Sequence, residues 1–253
     1  MLAEFVIAQM RDATEADEPF LIVHNEMLPH WPVVQTPADR AASPPRPASL
    51  GHMIGYMDTL AGRLLDAVED LGIRKNTYVF FMADNGTHEP DLANPRAGEP
   101  GQQAHTRHTT AGDVNGGKFS VSDGGTHVPF LVWGPVSVPR GRVCDDLVDV
   151  VDLMPTLCEL GGVTPPENGD GHSLVAQLHG RPGPSHAYPY GAVGKEAAVF
   201  DGQWRLKRSG TLLDARFLPD EPVADESIPA AATARRRFQS ILDAKRASAG
   251  RQD

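Results

Sequence analysis

Two oxygen-bearing side chains follow an apolar run near the middle of the chain. Asp84 and Asn85 come directly after residues 78–83 and are followed by Gly86. Carboxylate and amide oxygens are the hard ligands that Ca²⁺ and Mg²⁺ prefer, so the pair is a candidate metal site. Asp-Asn-Gly is also an ordinary turn sequence, and the three residues taken alone favour a turn.

A single lysine lies in a second, glycine-rich stretch. Lys118 follows Gly116 and Gly117 and precedes the Asp-Gly-Gly-Thr-His-Val-Pro of residues 123–129. Glycines let the backbone approach a ligand closely, and an ammonium group is a compact charge suited to an anionic oxygen. Lys118 is therefore a candidate anion-binding group. The alternative is a lysine on a surface loop, which is the commoner situation for any one lysine.

One histidine stands between two prolines. His30 and Trp31 are flanked by Pro29 and Pro32, which restrict the backbone and would aim the imidazole. An imidazole can act as a general acid near neutral pH. The alternative, which His30 in isolation favours, is a half-buried loop histidine packed on Trp31.

Apolar runs and one amphipathic helix would position these groups. Residues 20–23, 78–83 and 130–133 are short and apolar, which is typical of buried strands in a parallel sheet. Residues 49–71 carry apolar groups at helical spacing and are closed by Gly72. Strand, helix and strand predict a βαβ unit, in which ligands gather at the carboxyl ends of strands. The candidate groups occur in chain order along this predicted edge.

The remaining sequence predicts further elements. We expect helices over residues 3–13, 150–160 and 230–247, a hairpin over 198–207, an ordered surface loop over 29–47, and a polar loop over 87–117 that could form a wall of the active site.

Several blocks together resemble the sulfatase family. The resemblance extends from about residue 19 to about residue 178. The blocks are residues 20–23 leading to 29–32, residues 56–58 with 62–64, residues 83–87, residues 116–118 with 125–129, and residues 151–156.

The resemblance implies an α/β fold: an alkaline-phosphatase-like sheet sandwiched by helices, present in part, with a small carboxy-terminal α+β subdomain. Residues 1–180 would be the carboxy-terminal part of the catalytic domain, and residues 181–253 a small antiparallel sheet with a tail helix. By resemblance, Asp84 and Asn85 bind Ca²⁺, Mg²⁺ being less favoured, while Lys118 and His30 contact the sulfate and the leaving oxygen. The implied activity is hydrolysis of a sulfuric ester, with a sulfated small molecule or carbohydrate as substrate.

The sequence departs from the family pattern in two ways. The family's formylglycine nucleophile arises from a Cys-x-Pro-Ser-Arg stretch, and neither Cys144 nor Cys158 has the required proline and arginine. Adjacent aspartates and a lysine/histidine pair of the amino-terminal part are also lacking. We therefore expect a truncated sulfatase that is inactive alone. In addition, Phe119 stands where the family usually has glycine, which narrows the loop.

Two other functions stay open. Two-zinc phosphatases and phosphodiesterases of the same superfamily place a histidine after the strand-end aspartate, whereas Asn85 stands there in this chain. A non-catalytic fragment or binding module would account for the lacking nucleophile.

Composition excludes several classes of partner. The chain has 253 residues, of which 40% are hydrophobic, and a formal net charge of −10. An acidic surface argues against nucleic acid or anionic membrane as the main partner. No apolar stretch approaches the length of about 18 residues that a membrane span requires, so no span is predicted. The compartment stays open; a periplasmic or secreted location would follow if an upstream segment carried a signal peptide.

Overall fold

The computed structural model describes residues 2–87, 108–109, 112–114, 117–217, 221–223 and 227–249. Its α-helices are α1 (Leu2–Glu15), α2 (Pro37–Ala41), α3 (Leu50–Asp70), α4 (Asp123–Thr126), α5 (Leu153–Leu160), α6 (Val175–Leu178) and α7 (Pro229–Ala249), with 3₁₀ turns at Arg74–Asn76 and Val150–Asp152. Its strands are β1 (Val79–Met82), β2 (His108–Thr109), β3 (Gly112–Asp113), β4 (Phe130–Trp133), β5 (Tyr190–Val193), β6 (Glu196–Phe200), β7 (Trp204–Lys207), β8 (Leu212–Asp214) and β9 (Glu221–Pro222).

The predicted helices at residues 3–13, 49–71, 150–160 and 230–247 are confirmed as α1, α3, the Val150–Asp152 turn continuing into α5, and α7. The predicted active-site wall, residues 87–117, lies largely outside the described residues. None of the described helices is long and apolar enough to cross a membrane.

The described residues fall into two compact units. The first contains residues 2–80 and 132–136, and the second contains residues 81–87 together with the described parts of 106–131 and 137–249. The boundary that the sequence suggests at residue 180 stays a prediction.

The first unit is built around the contact between α1 and α3. Val6 and Met10 of α1 are buried with Ala67 and Val68 of α3, and Ile22, Val79 and Trp133 are among the partly buried residues packed against them. Ser49 caps α3 by accepting a hydrogen bond from the His52 amide at 3.1 Å, and Gly72 ends the helix in the left-handed conformation (φ 68°).

The prediction of a buried strand at residues 20–23 was wrong. The segment is irregular, and Leu21 and Val23 are 68% and 75% exposed, whereas Ile22 packs on the α1/α3 core. An apolar run becomes a strand only when a neighbouring strand satisfies its backbone groups. Among the described residues no strand pairs with this segment, because β1 and β4 pair only with each other.

The proline-rich loop that follows is more regular than predicted. It contains α2, whose N-cap Thr36 and Asp39 form a capping box. The fully buried Asp39 carboxylate also lies 2.9 Å from Nδ1 of His52 and 3.1 Å from Nε of Arg46. Burial alone would raise the pKa of Asp39, but the hydrogen bonds from Thr36 and the charges of His52 and Arg46 outweigh it and hold that pKa below its ordinary 3.8.

The core of the second unit is a five-stranded antiparallel sheet in the order β5-β6-β7-β8-β9. The predicted hairpin is confirmed as β6 and β7, and Gly202 in its turn has a positive φ of 92°. α7 covers one face of the sheet. The buried residues of that interface are Ala197, Val199, Trp204, Leu206, Leu212, Ala231, Ala234, Phe238 and Leu242.

A buried carboxylate ties α5 to the chain that follows it. Asp152, only 1% exposed, accepts hydrogen bonds from the amides of Asp149 (2.8 Å) and His172 (2.7 Å), and its Oδ1 lies 2.7 Å from Nε2 of His186. Three contacts to one carboxylate fix segments that are distant in sequence.

Candidate functional site

Two backbone hydrogen bonds join the turn that carries Asp84 to the loop that carries Lys118. The amide of Gly86 donates to the carbonyl oxygen of Gly125 (3.1 Å), and the amide of Lys118 donates to that of Thr87 (3.0 Å). The strands before and after these segments, β1 and β4, are neighbours in a two-stranded sheet, and the Ala83 amide donates to Pro129 O at 3.2 Å. The candidate metal ligands and the candidate anion-binding lysine therefore belong to one local structure.

The close approach of the two segments depends on glycine. A Cβ atom on Gly86 would lie 1.6 Å from the carbonyl oxygen of Gly124, and one on Gly125 would lie 2.2 Å from that of Ser120. Neither obstacle is a side chain that could rotate away. Any other residue at position 86 would force the two segments apart, and any other residue at position 125 would disrupt the Lys118 loop itself.

The Asp-Asn-Gly sequence forms a turn and still presents its oxygens. Oδ1 of the exposed Asp84 accepts a hydrogen bond from the Asn85 amide at 2.9 Å, and Asn85 is half-buried. A carboxylate offers about four acceptor positions, so a local turn and a cation can share it. Within the described part of the chain no three or more His, Cys, Asp or Glu side chains cluster closely enough to hold a metal ion.

Phe119 occupies a backbone conformation suited to glycine. Its φ is +70°, its side chain is 67% exposed, and the Lys118 ammonium lies 5.7 Å from the centre of its ring. A bulky residue at positive φ is strained. This conformation is one that glycine adopts without strain, which agrees with the expectation that the family usually has glycine here.

Hydrogen bonds within the loop fold it tightly behind Lys118. The hydroxyl of Ser120 accepts from the Gly117 amide (3.1 Å) and lies 2.8 Å from the hydroxyl of Ser122. The carbonyl oxygen of Ser122 accepts from the amides of Gly125 and Thr126 at 2.9 and 3.1 Å. Lys118 itself is half-buried.

Sequence reasoning missed Arg205 as a residue of this site. The side chain is 2% exposed, its Nη1 donates to the carbonyl oxygen of Val121 at 2.9 Å, and its Nη2 forms an ion pair with Asp123. The sequence shows it only as one position in the strand of residues 204–207. A charged residue between Trp204 and Leu206 was the available signal, since such residues are rarely buried without a partner.

His30 belongs to the first unit, and the other candidate residues belong to the second. Its amide donates to the carbonyl oxygen of Met27 (2.9 Å), and its Nδ1 lies 2.6 Å from the carbonyl oxygen of Trp31. A carbonyl only accepts, so Nδ1 is the donor in this contact. The structure thus places the segments that carry Asp84, Asn85 and Lys118 side by side, and the convergence of these side chains with His30 on one cleft stays a prediction.

Comparison with known proteins gives a consistent family. A model of the sulfatase family, described as Sulfatase, matches residues 1–163. Human arylsulfatase D is 30% identical over 207 residues, which cover 79% of this chain and 32% of that protein. Human N-acetylgalactosamine-6-sulfatase is 32% identical over 162 residues, covering 61% of this chain and 29% of that protein. The chain thus spans about a third of the length of the curated relatives it matches.

Solved structures share the fold at lower identity. A structure titled as part of glycosaminoglycan metabolism by Bacteroides thetaiotaomicron superposes with a TM-score of 0.71 at 20% identity, covering 96% of this chain and 54% of that chain. The phosphonate monoester hydrolase of Agrobacterium radiobacter superposes with a TM-score of 0.55 at 22% identity, covering 78% of this chain and 40% of that chain. These likenesses confirm the predicted alkaline-phosphatase-like α/β fold.

Proposed function

Because the chain belongs to the sulfatase family, we propose that it supplies the Ca²⁺- and sulfate-binding half-site of a sulfuric ester hydrolase. The observation that carries the proposal is the pair of backbone hydrogen bonds between the Asp84-Asn85-Gly86 turn and the Lys118 loop. It puts hard oxygen ligands and an ammonium group in one local structure. That combination suits a divalent cation and an anionic ester.

The donor set fits calcium in kind. Asp84 and Asn85 supply two oxygens and one formal negative charge, whereas Ca²⁺ takes about six to eight oxygen ligands, so further ligands must come from outside this pair. When bound, a calcium ion would polarise a sulfate oxygen and balance its charge. We expect the 253 residues alone to bind Ca²⁺ weakly at best.

The chain's own residues would act on the sulfate group. Negative charge develops on the equatorial and leaving oxygens during sulfuryl transfer, and the Lys118 ammonium would stabilise it by a fixed positive charge. His30 would act as the general acid that donates a proton to the leaving oxygen. The formylglycine nucleophile would come from a segment not in the printed sequence, so the 253 residues alone should not turn over a sulfate ester.

The identity of the ester is a broader proposal. The matched relatives include arylsulfatases, N-acetylgalactosamine-6-sulfatases and a steryl-sulfatase. Their names all refer to a sulfate group and differ in the compound that carries it. We propose a sulfated small molecule or sulfated carbohydrate as the substrate class. A non-catalytic, sulfate-binding module is the second candidate, favoured by the lack of a Cys-x-Pro-Ser-Arg stretch in the printed sequence.

Isothermal titration of the 253-residue chain with sulfate, with and without Ca²⁺, tests the half-site. We expect sulfate binding that Lys118→Ala abolishes and that Ca²⁺ strengthens unless Asp84 is replaced by alanine. Lys195→Ala is the matched control, because Lys195 is an exposed lysine of the same unit in the turn between β5 and β6. Equal sulfate binding by the wild type and Lys118→Ala would contradict the proposal.

A parallel assay with a chromogenic aryl sulfate separates the two candidates. We expect no turnover by the 253 residues, and turnover when the reading frame is extended upstream to include a Cys/Ser-x-Pro-Ser-Arg stretch. An upstream stop codon without that stretch would favour the binding module. Turnover that follows the 253-residue chain through purification would overturn the expected role of the nucleophile.

A further inference from the structure

We propose that Arg205 is a positioning residue for the Lys118 loop, so that the carboxy-terminal sheet holds the candidate site in shape. The inference rests on the proposed function for its consequence, sulfate binding. Its structural half, the clamping of residues 117–125 by a buried guanidinium group, can be tested without that function.

The sheet of the second unit buries both faces. Trp204 and Leu206 of β7 point to the face that α7 covers, so Arg205, between them, points to the other face. Leu213, its partner across the strands, is also buried, at 6% exposed. On this second face the charged guanidinium group of Arg205 is buried away from solvent.

Two partners of that charge come from the loop of the candidate site, and the ring centre of Phe200 in β6 lies 4.9 Å from the guanidinium carbon. One guanidinium nitrogen binds the carbonyl oxygen of Val121 and another binds the Asp123 carboxylate, so the planar fork fixes two points of the loop two residues apart. A third contact is steric: a Cβ atom on Gly191 of β5 would lie 3.5 Å from Cγ2 of Thr126. The strand and α4 are thus in close packing.

The clamped segment leads directly to the functional groups. Ser122, between the two anchored residues, is bound to Ser120, whose hydroxyl accepts from the Gly117 amide next to Lys118. On the other side of Asp123, Gly125 accepts the Gly86 amide that follows Asp84 and Asn85. Loss of the clamp should therefore loosen both the segment of Lys118 and the Asp84 turn.

Three variants separate positioning from general stability. Arg205→Met removes the charge and keeps the length of the side chain, and Asp123→Asn removes the partner charge. Arg205→Lys keeps a charge that can reach one anchor and should restore part of the effect. Leu206→Ala is the matched control, because the next residue of the same strand is fully buried on the α7 face.

Hydrogen–deuterium exchange on the full 253-residue chain measures directly how firmly Arg205 holds the loop. We expect Arg205→Met and Asp123→Asn to speed exchange of the Gly86 and Lys118 amides by about tenfold or more, and their combination to add little, because both break one ion pair. Leu206→Ala should lower the melting temperature without this local change. Unchanged exchange at Gly86 and Lys118 in both charge variants would overturn the inference.

Titration of the same variants with sulfate measures the effect of the loop contacts on sulfate binding. We expect the Kd for inorganic sulfate to rise about tenfold in Arg205→Met, to be partly restored in Arg205→Lys, and to stay near the wild-type value in Leu206→Ala. Faster exchange with an unchanged Kd would overturn the positioning role. If the wild type binds no sulfate, the proposed function fails, and the exchange measurement still decides whether Arg205 clamps the loop.

Discussion

Two of the sheets in the described part of the chain, the five-stranded sheet and the sheet of β1 and β4, use similar apolar sequences and reach different degrees of burial. Val199 and Leu206 of the five-stranded sheet are fully buried, and so is Phe238 of α7, the helix that covers this sheet. In the two-stranded sheet of β1 and β4, Phe81 is 37% exposed and Leu131 is 57% exposed. An apolar strand gains stability only from what covers it, and a two-stranded sheet is marginal without further cover.

A pair of phenylalanine truncations should show this contrast most strongly. Phe238→Ala removes a fully buried ring from the α7 interface and should cost about 3–5 kcal/mol of unfolding free energy. Phe81→Ala removes a ring already in partial contact with water and should cost about 1–2 kcal/mol. Denaturant unfolding of each variant measures the difference. Equal losses would mean that the small sheet is as well covered as the large one.

A glycine substitution tests whether the marginal sheet is held by the site loops that follow its strands. Gly86→Ala puts a methyl group against the Gly124 carbonyl, so we expect a loss of about 2–3 kcal/mol and loss of the Gly86–Gly125 hydrogen bond. Gly55→Ala is the control: a Cβ there meets nothing within 4 Å in α3, and it should gain about 0.5–1 kcal/mol. A neutral Gly86→Ala would show that the loops can separate without cost.

Buried carboxylates extend the comparison to acid stability. Asp214 of β8 has its pKa lowered chiefly by the hydrogen bond from Arg216, with burial opposing the shift. The pKa of Asp39 in the first unit is also below 3.8. A lowered folded-state pKa gives stability that is present above the unfolded pKa of 3.8 and is lost as pH falls through the lower folded value.

Asp39→Asn and Asp214→Asn should therefore destabilise near neutral pH, and both deficits relative to the wild type should shrink in acid. Salt should reduce the Asp214 effect more, because Arg216 is 57% exposed and Asp39 is fully buried. Urea unfolding from about pH 5 to about pH 3, at low and high salt, measures both deficits. A deficit that grows on acidification would contradict the assigned direction.

The smallest expected effect is at Phe119. Phe119→Gly should relieve the strain of a positive φ, about 1–2 kcal/mol, at an entropic cost of about 0.5–1 kcal/mol, for a net gain of about 0.5–1 kcal/mol. Phe217 is 48% exposed and has no positive φ, so Phe217→Gly carries the cost without the relief and should destabilise. Thermal melts compare the two. A loss in both would show that Phe119 makes compensating contacts.

The sequence was sufficient to predict the elements whose structure depends on interactions between nearby residues. Helix α3 was predicted from apolar spacing and Gly72, and the β6–β7 hairpin from alternation around Gly202, because caps and turns act over a few residues. The strand predicted at residues 20–23 was wrong because strand formation depends on a distant partner.

The chemical groups of the candidate site could be predicted from the sequence, whereas the tertiary contacts that position them could not. Asp84, Asn85 and Lys118 were singled out by residue type together with family resemblance, and the structure places them in adjoining segments. The role of Arg205 depends on a contact across 82 residues of sequence, which no local pattern reports. His30 remains a prediction for a related reason, since its relation to the other three depends on tertiary placement.

In the linked Asp84 turn and Lys118 loop, the residue that allows the backbones to approach is different from the residues that carry the candidate chemistry. The close approach of the two segments depends on Gly86, which has no side chain, whereas the proposed ligands are Asp84, Asn85 and Lys118, whose side chains take no part in the two linking hydrogen bonds. Substitutions that alter ligand preference can thus accumulate without moving the frame. A histidine at position 85, for example, would exchange the proposed oxygen ligand for a nitrogen that zinc favours while leaving both linking hydrogen bonds intact.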